Sequence, residues 1–90
     1  MLVVGKVRLT KMWYEVKVCE TYEENDGIRR SYYDKFKSDD YVRARKKYAQ
    51  LVGRYIPVDY CHVEITITAW SDGKSFTIAN WQNKEIENEI

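Results

Sequence analysis

The sequence predicts an α+β fold, in which an antiparallel sheet of four or five strands carries one amphipathic helix across one face. Two stretches of strand-like alternation each contain a turn signal, and a stretch with helical apolar spacing separates them. The predicted order is therefore ββ-α-ββ. We expect one α+β domain over residues 1–81 and a short acidic C-terminal tail over residues 82–90. The order of the strands across the sheet does not follow from the sequence.

The first predicted strand changes the phase of its alternation. Apolar residues share one side over residues 2–9, and from Met12 onward they share the other side. No glycine, proline or asparagine marks a turn between the two stretches, so we interpret them as one long strand with a β-bulge near Thr10 and Lys11. Two short strands remain the alternative.

The next turn is predicted at Asn25-Asp26-Gly27. A three-residue loop with Gly27 in the left-handed region gives a type I turn followed by a bulge. This loop length places Val16 opposite Phe36 in the first hairpin. In the same register, two cross-strand pairs combine an acidic with a basic residue, and such pairs stabilise a hairpin.

A helix is predicted from about residue 39 to residue 53. Ser38 is a suitable N-cap, and Gly53 and Pro57 are typical of a helix end. At about 100° per residue, one arc of this helix is apolar. The apolar arc contains Tyr41, Ala44, Tyr48, Leu51, Val52 and Tyr55. The cations on the other side form what we call the basic ridge: Arg43, Arg45, Lys46, Lys47 and Arg54.

The clearest hairpin signal lies at residues 60–81. In its first strand, apolar and polar residues alternate strictly, and the side chains at every second position are predicted to face the core. These core residues are Cys61, Val63, Ile65, Ile67 and Ala69. Asp72-Gly73 is typical of a type I′ turn, which needs positive φ at both central residues. A two-residue loop predicts three cross-strand pairs: Ala69 with Phe76, Ile67 with Ile78, and Glu64 with Trp81.

Composition places the chain among globular proteins and gives it an uneven charge. Charged residues make up 32% and hydrophobic residues 44%, with a net charge of +1. Residues 29–54 carry nine basic and three acidic side chains, whereas residues 55–90 carry two basic and six acidic ones. No apolar run reaches membrane-spanning length, and the two cysteines are predicted on opposite faces of the sheet. We therefore expect a cytoplasmic protein without a disulfide.

No motif for chemistry stands out in the sequence. His62 is the only histidine, and we interpret it as a surface residue on a strand rather than a proton shuttle. Two cysteines do not make a metal site, and Asp72-Gly73-Lys74-Ser75 lacks the first glycine and the helix of a phosphate-binding loop. We expect no catalytic residue, no metal, no cofactor and no small-molecule substrate.

Because one helix covers only one face of a sheet, the other, uncovered face is predicted to display aromatic side chains. All three tryptophans fall on this face in the predicted register. The predicted partner-binding residues are Trp13, Tyr33, His62, Trp70 and Trp81. The leading hypothesis is a non-enzymatic binding module that occupies a protein partner, as an accessory or inhibitor protein, or forms a homodimer through this face.

Three alternatives stay open, and one of them is a small enzyme. The basic ridge has the charge of a nucleic-acid-binding surface, although an ordinary solvated helix face has the same pattern. The aromatic face is instead part of the core if the N-terminal strand or the tail folds over it.

Overall fold

The computed structural model describes residues 12–84 and confirms the predicted α+β architecture. The elements follow in the order β1 (Met12–Glu23), β2 (Arg29–Ser38), α1 (Tyr41–Tyr55), β3 (His62–Ser71) and β4 (Lys74–Gln82). The described residues form a four-stranded sheet with α1 on one face. The bulge predicted near Thr10 and Lys11, the strand over residues 2–9 and most of the predicted tail lie outside the described residues.

The sheet has the strand order β2-β1-β3-β4, and the neighbouring strands are antiparallel. Strand β1 occupies an inner position, so Val16 has Phe36 of β2 on one side and Ile67 of β3 on the other. The chain leaves β2 at one edge, crosses the sheet as α1, and returns beside β1 as β3. The helical crossover therefore determines the strand order.

The first hairpin has the predicted loop and register. Gly27 has φ +83°, and its N–H donates to the carbonyl of Glu24 at 2.9 Å. Glu24 N–H in turn donates to the carbonyl of Ile28, and the Asp26 carboxylate accepts from Ile28 N–H, both at 2.9 Å. These bonds close a type I turn and glycine bulge, in which glycine is needed because a side chain at this φ is strained.

The second hairpin has the predicted turn, but its register changes part-way along β4. Asp72 and Gly73 both have positive φ, at +53° and +77°, as the predicted type I′ turn requires. Ala69 pairs with Phe76, also as predicted. A β-bulge then inserts Ile78 as an extra residue, because Thr68 pairs with Thr77 whereas Ile67 pairs with Ala79. The predicted Ile67–Ile78 pair is therefore wrong.

The bulge moves every later side chain of β4 to the opposite face of the sheet. Trp81 pairs with Ile65, not with Glu64 as predicted, and Gln82 takes the position opposite Glu64. A shift of one residue has this effect because side chains alternate with a period of two.

The helix begins two residues later than the sequence predicts. Asp40, not Ser38, is the N-cap, and its carboxylate accepts from the N–H groups of Val42 at 2.8 Å and Arg43 at 3.2 Å. Ser38 is still paired with Tyr14 at the end of β2, so it cannot start the helix. Its hydroxyl instead accepts from Asp40 N–H at 3.0 Å.

The helix also ends two residues later than predicted. Gly53 lies inside α1, where it is exposed and where an added Cβ would meet no other atom within 4 Å. Tyr55 closes the helix, just before Pro57, whose missing N–H prevents continuation. The packing of Tyr55 against the core extends the helix past the glycine.

The core lies between α1 and the two inner strands. Its buried residues come from the helix and from β1 and β3: Val16, Val18, Ala44, Leu51, Val63, Ile65, Ile67 and Ala69, with Cys61 just before β3. Tyr48, Val52 and Tyr55 of the predicted apolar arc pack against this cluster. Tyr41 is 41% exposed but lies against Tyr14, with ring centroids 5.2 Å apart.

The chain remains anchored just beyond β4. Gln82 is the last residue of that strand, and Asn83 exchanges hydrogen bonds with the backbone of Val63 at 2.9 and 3.1 Å. The Asn83 amide also donates to the carbonyls of Val58 and Cys61, each at 2.9 Å. These two residues of the predicted tail therefore belong to the folded part of the chain.

Candidate functional site

The basic ridge carries positive charge that no acidic residue within α1 offsets. Helix α1 contains five basic residues and no acidic residue. Within residues 12–84, the ion pairs connect strand and turn residues: Arg29–Glu23, Arg30–Glu24, Arg30–Asp26 and Lys35–Glu15. None of these pairs uses a ridge residue. The ridge is therefore a concentrated source of positive potential.

Three ridge residues lie together in a groove between α1 and the edge strand β2. Arg43, Lys46 and Lys47 line it with Phe36 and Gln50, and its volume is about 450 Å³. Lys47 Nζ lies 5.7 Å from the centroid of the Phe36 ring, a cation–π contact. We call this depression, defined by these five residues, the α1–β2 groove.

The other two ridge residues lie apart from this groove. Arg45 stands over the ring of Tyr48 at 5.7 Å, in a separate depression that Val52, Ile56 and Trp81 also line. Arg54 is in the last turn of α1, where a cation also interacts favourably with the helix dipole. The structure therefore divides the predicted ridge, and its densest part faces β2.

Trp81 occupies the helix side of the sheet, which corrects its predicted position on the uncovered face. It is half-buried, packs against the core and lines the depression beside Arg45. A sequence signal for this was present. Phe76 and Ile78 stand at even-numbered positions, whereas Trp81 stands at an odd-numbered one, so the apolar alternation changes phase within β4. Such a change of phase is typical of a β-bulge.

The uncovered face displays the other two tryptophans as a stacked pair. Trp13 and Trp70 are direct partners on β1 and β3, and their rings are 5.3 Å apart and within 5° of parallel. Lys37 Nζ lies 5.2 Å from the Trp13 ring. The Trp70 Nε1 atom is buried, and no acceptor among residues 12–84 reaches it. A buried donor without an acceptor is costly, so within the described part of the chain this indole is an unusual feature.

Tyr33 and His62 do not join the tryptophan pair. His62 precedes Trp70 by eight residues on β3, a separation of about 26 Å along an extended strand. Its Nε2 lies 3.0 Å from Oε1 of Gln82. Tyr33 on β2 is 62% exposed, and Lys17 Nζ lies 5.3 Å from its ring. The five predicted partner-binding residues therefore form no single site.

A tyrosine cluster around Glu20 was not predicted from the sequence. The Glu20 carboxylate accepts hydrogen bonds from the hydroxyls of Tyr22, at 2.7 Å, and of Tyr55. The bond to Glu20 raises the pKa of Tyr55 to about 12, and burial adds to the effect. The same carboxylate raises the pKa of Tyr22 above its ordinary value. The cluster fastens the last turn of α1 to β1, which is a structural role.

The described residues offer no evident centre for metal chemistry. Between residues 12 and 84, no three histidine, cysteine, aspartate or glutamate side chains come close enough together to hold a metal ion. Over the same range, α1 is too short and too polar to cross a membrane.

No family model, curated protein or solved structure matches the chain. The functional conclusion therefore depends on the surfaces described above.

Proposed function

We propose that the chain is a non-enzymatic binding protein whose partner is a nucleic acid, held by the basic ridge of α1. The observation that carries this proposal is the charge of the helix. Its five cations have no acidic neighbour within α1, and no ion pair with any residue of the described chain. When such cations bind phosphates, the counterions condensed on the nucleic acid are released, and this release favours binding.

The arrangement of the cations along the helix suits the binding of a linear polyanion. Arg43, Lys47 and Arg54 follow one line along the helix at intervals of four and seven residues. The line is about 16 Å long at 1.5 Å per residue, which is long enough to follow several phosphates of one strand. Both arginines have the planar fork that binds phosphate oxygens in pairs.

Binding is tested by fluorescence anisotropy with labelled oligonucleotides at several salt concentrations. We expect the affinity of the wild-type protein to fall as the salt concentration rises. For each phosphate contact, the logarithm of the affinity should fall by about 0.9 per log unit of salt on duplex DNA and by about 0.7 per log unit on a single strand. The double change Arg43→Glu and Lys46→Glu should remove binding. Both side chains lie at the surface of α1, so the melting temperature should change little.

A control variant separates the ridge from net charge. Lys17→Glu with Lys74→Glu alters the charge equally, but on the sheet rather than on α1. This control should retain most of the affinity. An absence of binding by the wild type at low salt, or equal losses in the two variants, would contradict the proposal.

A protein contact through the uncovered face is the second candidate function, with either a partner protein or a second copy of this chain. The specific observation is the Trp13–Trp70 stack, with a buried indole nitrogen that lacks an acceptor within residues 12–84. Aromatic anchors of this kind are frequent hot spots, and truncation costs about 2 kcal/mol or more.

Light scattering and partner capture test the second candidate. Trp13→Ala should weaken the association, whereas Tyr33→Ala, an exposed aromatic on the same face, should not. A wild type that is monomeric and captures no protein would argue against this function.

We also infer a cytoplasmic location and action without a cofactor. Cys19 and Cys61 are both free thiols, which accords with a reducing compartment. Cell fractionation with a tagged chain tests the location.

A further inference from the structure

The α1–β2 groove combines positive charge with an aromatic ring. Phe36 enters it from β2, on the helix side of the sheet, and is partly exposed. Arg43, Lys46 and Lys47 line the groove on the helix side, and Lys47 contacts the ring. A basic groove with an aromatic platform is how proteins hold single-stranded nucleic acids, because every base has a face that stacks.

We propose that the α1–β2 groove binds a single-stranded nucleic acid, with one base stacked on Phe36 and the flanking phosphates on Arg43, Lys46 and Lys47. This inference rests on the proposed function and narrows its substrate to single strands. A duplex presents its phosphates equally well, but its bases are already stacked and paired. The ring of Phe36 therefore discriminates between the two forms.

The groove is an open depression that carries polar groups suited to a nucleotide. The Gln50 amide lines the groove and supplies both a donor and an acceptor for a base edge.

Lys47 covers the Phe36 ring in the unbound protein, with its Nζ 5.7 Å from the ring centroid. Its long flexible side chain allows the ammonium group to move from the ring to a phosphate. Such a movement uncovers the platform as the strand binds.

The test compares four ligands: single-stranded DNA, single-stranded RNA of the same sequence, the corresponding DNA duplex, and inorganic polyphosphate, which has no bases. We expect Phe36→Leu to weaken the binding of both single strands by at least about 5-fold, since stacking on one aromatic side chain contributes about 5- to 150-fold. Affinity for duplex and polyphosphate should not change. Phe36→Tyr should restore single-strand affinity.

The control variant is Phe76→Leu. Phe76 is an exposed phenylalanine on β4, outside the groove, so its loss should affect no ligand. Circular dichroism and the melting temperature establish that each variant is folded. Photocrosslinking of the wild-type protein to a single strand adds a readout that depends on no variant, and we expect the crosslinked peptide to contain Phe36.

The outcomes separate the two proposals. If the wild type binds none of the four ligands, the proposed function itself is overturned. If ridge variants abolish binding but Phe36→Leu weakens all ligands equally or none, the stacking inference is overturned while the proposed function stands. A crosslink confined to Trp13 or Trp70 overturns the groove in the same way. Whichever single strand binds more tightly identifies DNA or RNA as the ligand.

Discussion

Ile67→Ala is the sharpest test of the fold, because the structure places Ile67 at the centre of the core. The residue is fully buried on β3, between Val16 of β1 and Ala79 of β4. The change removes three carbon groups, at about 0.8 kcal/mol each, which loses about 2.4 kcal/mol of transfer free energy. Since strands on both sides limit collapse, the cavity adds on the order of 1 kcal/mol.

The expected loss is therefore about 3 to 4 kcal/mol, a large part of the ~5–13 kcal/mol expected for a chain of 90 residues. Urea titration followed by circular dichroism measures it, with the shift in midpoint converted at the measured slope. The melting temperature should also fall, by about 4 to 8 °C for each kcal/mol lost.

Thr66→Ala is the matched control, because Thr66 is the adjacent residue on β3 and faces the uncovered side. Its hydroxyl accepts a hydrogen bond from the Asn80 amide at 3.1 Å, at an exposed position. Losing this bond should cost about 1 kcal/mol or less. Equal losses for the two variants would show that the assignment of the two sheet faces is wrong.

Two further predictions concern the ends of α1. Asp40→Ala removes the N-cap and should lower the free energy of unfolding by about 1 kcal/mol; a urea midpoint equal to that of the wild type would show that the cap contributes nothing. Unfolded Tyr55 ionises near its ordinary pKa of 10.0, whereas the hydrogen bond to Glu20 keeps it protonated in the fold up to about pH 12. Its contribution to stability is therefore complete below pH 10 and is lost as the pH rises towards 12. Tyr55→Phe should flatten this alkaline loss in urea titrations at pH 8 to 12, and an unchanged profile would refute the assignment of the bond.

Turn chemistry made both hairpins predictable from the sequence. Gly27 and Asp72-Gly73 have the positive φ that their loops require, and each loop fixes the register beside it.

The N-cap was mispredicted for a reason that lies in the sheet. Ser38 and Asp40 are equally suitable caps in isolation, but Ser38 is committed to pairing with Tyr14.

Strand order depends on contacts between distant segments, which local patterns do not record. The crossover of α1 places β3 beside β1, and Val16 then becomes a neighbour of Ile67, 51 positions away in the sequence. The clustering of Arg43, Lys46 and Lys47 beside Phe36 has the same origin. The sequence shows the charge of the helix, whereas only the packing of α1 next to β2 shows that an aromatic ring lines the same groove as these cations.

A single extra residue in β4 changes which side chains the uncovered face presents for binding. Because Ile78 shifts the register, Trp81 turns to the helix side, and Gln82 takes the place opposite Glu64 on the uncovered face. The Asn80 amide, which donates to Glu64 at 2.7 Å, adds to the polar character of that region. Without Trp81, the tryptophans of the uncovered face are the stacked pair of Trp13 and Trp70 at one end, and Tyr33 stands apart from them. The bulge leaves the charges of α1 untouched, so the basic ridge remains the surface on which we base the proposal of a nucleic-acid partner.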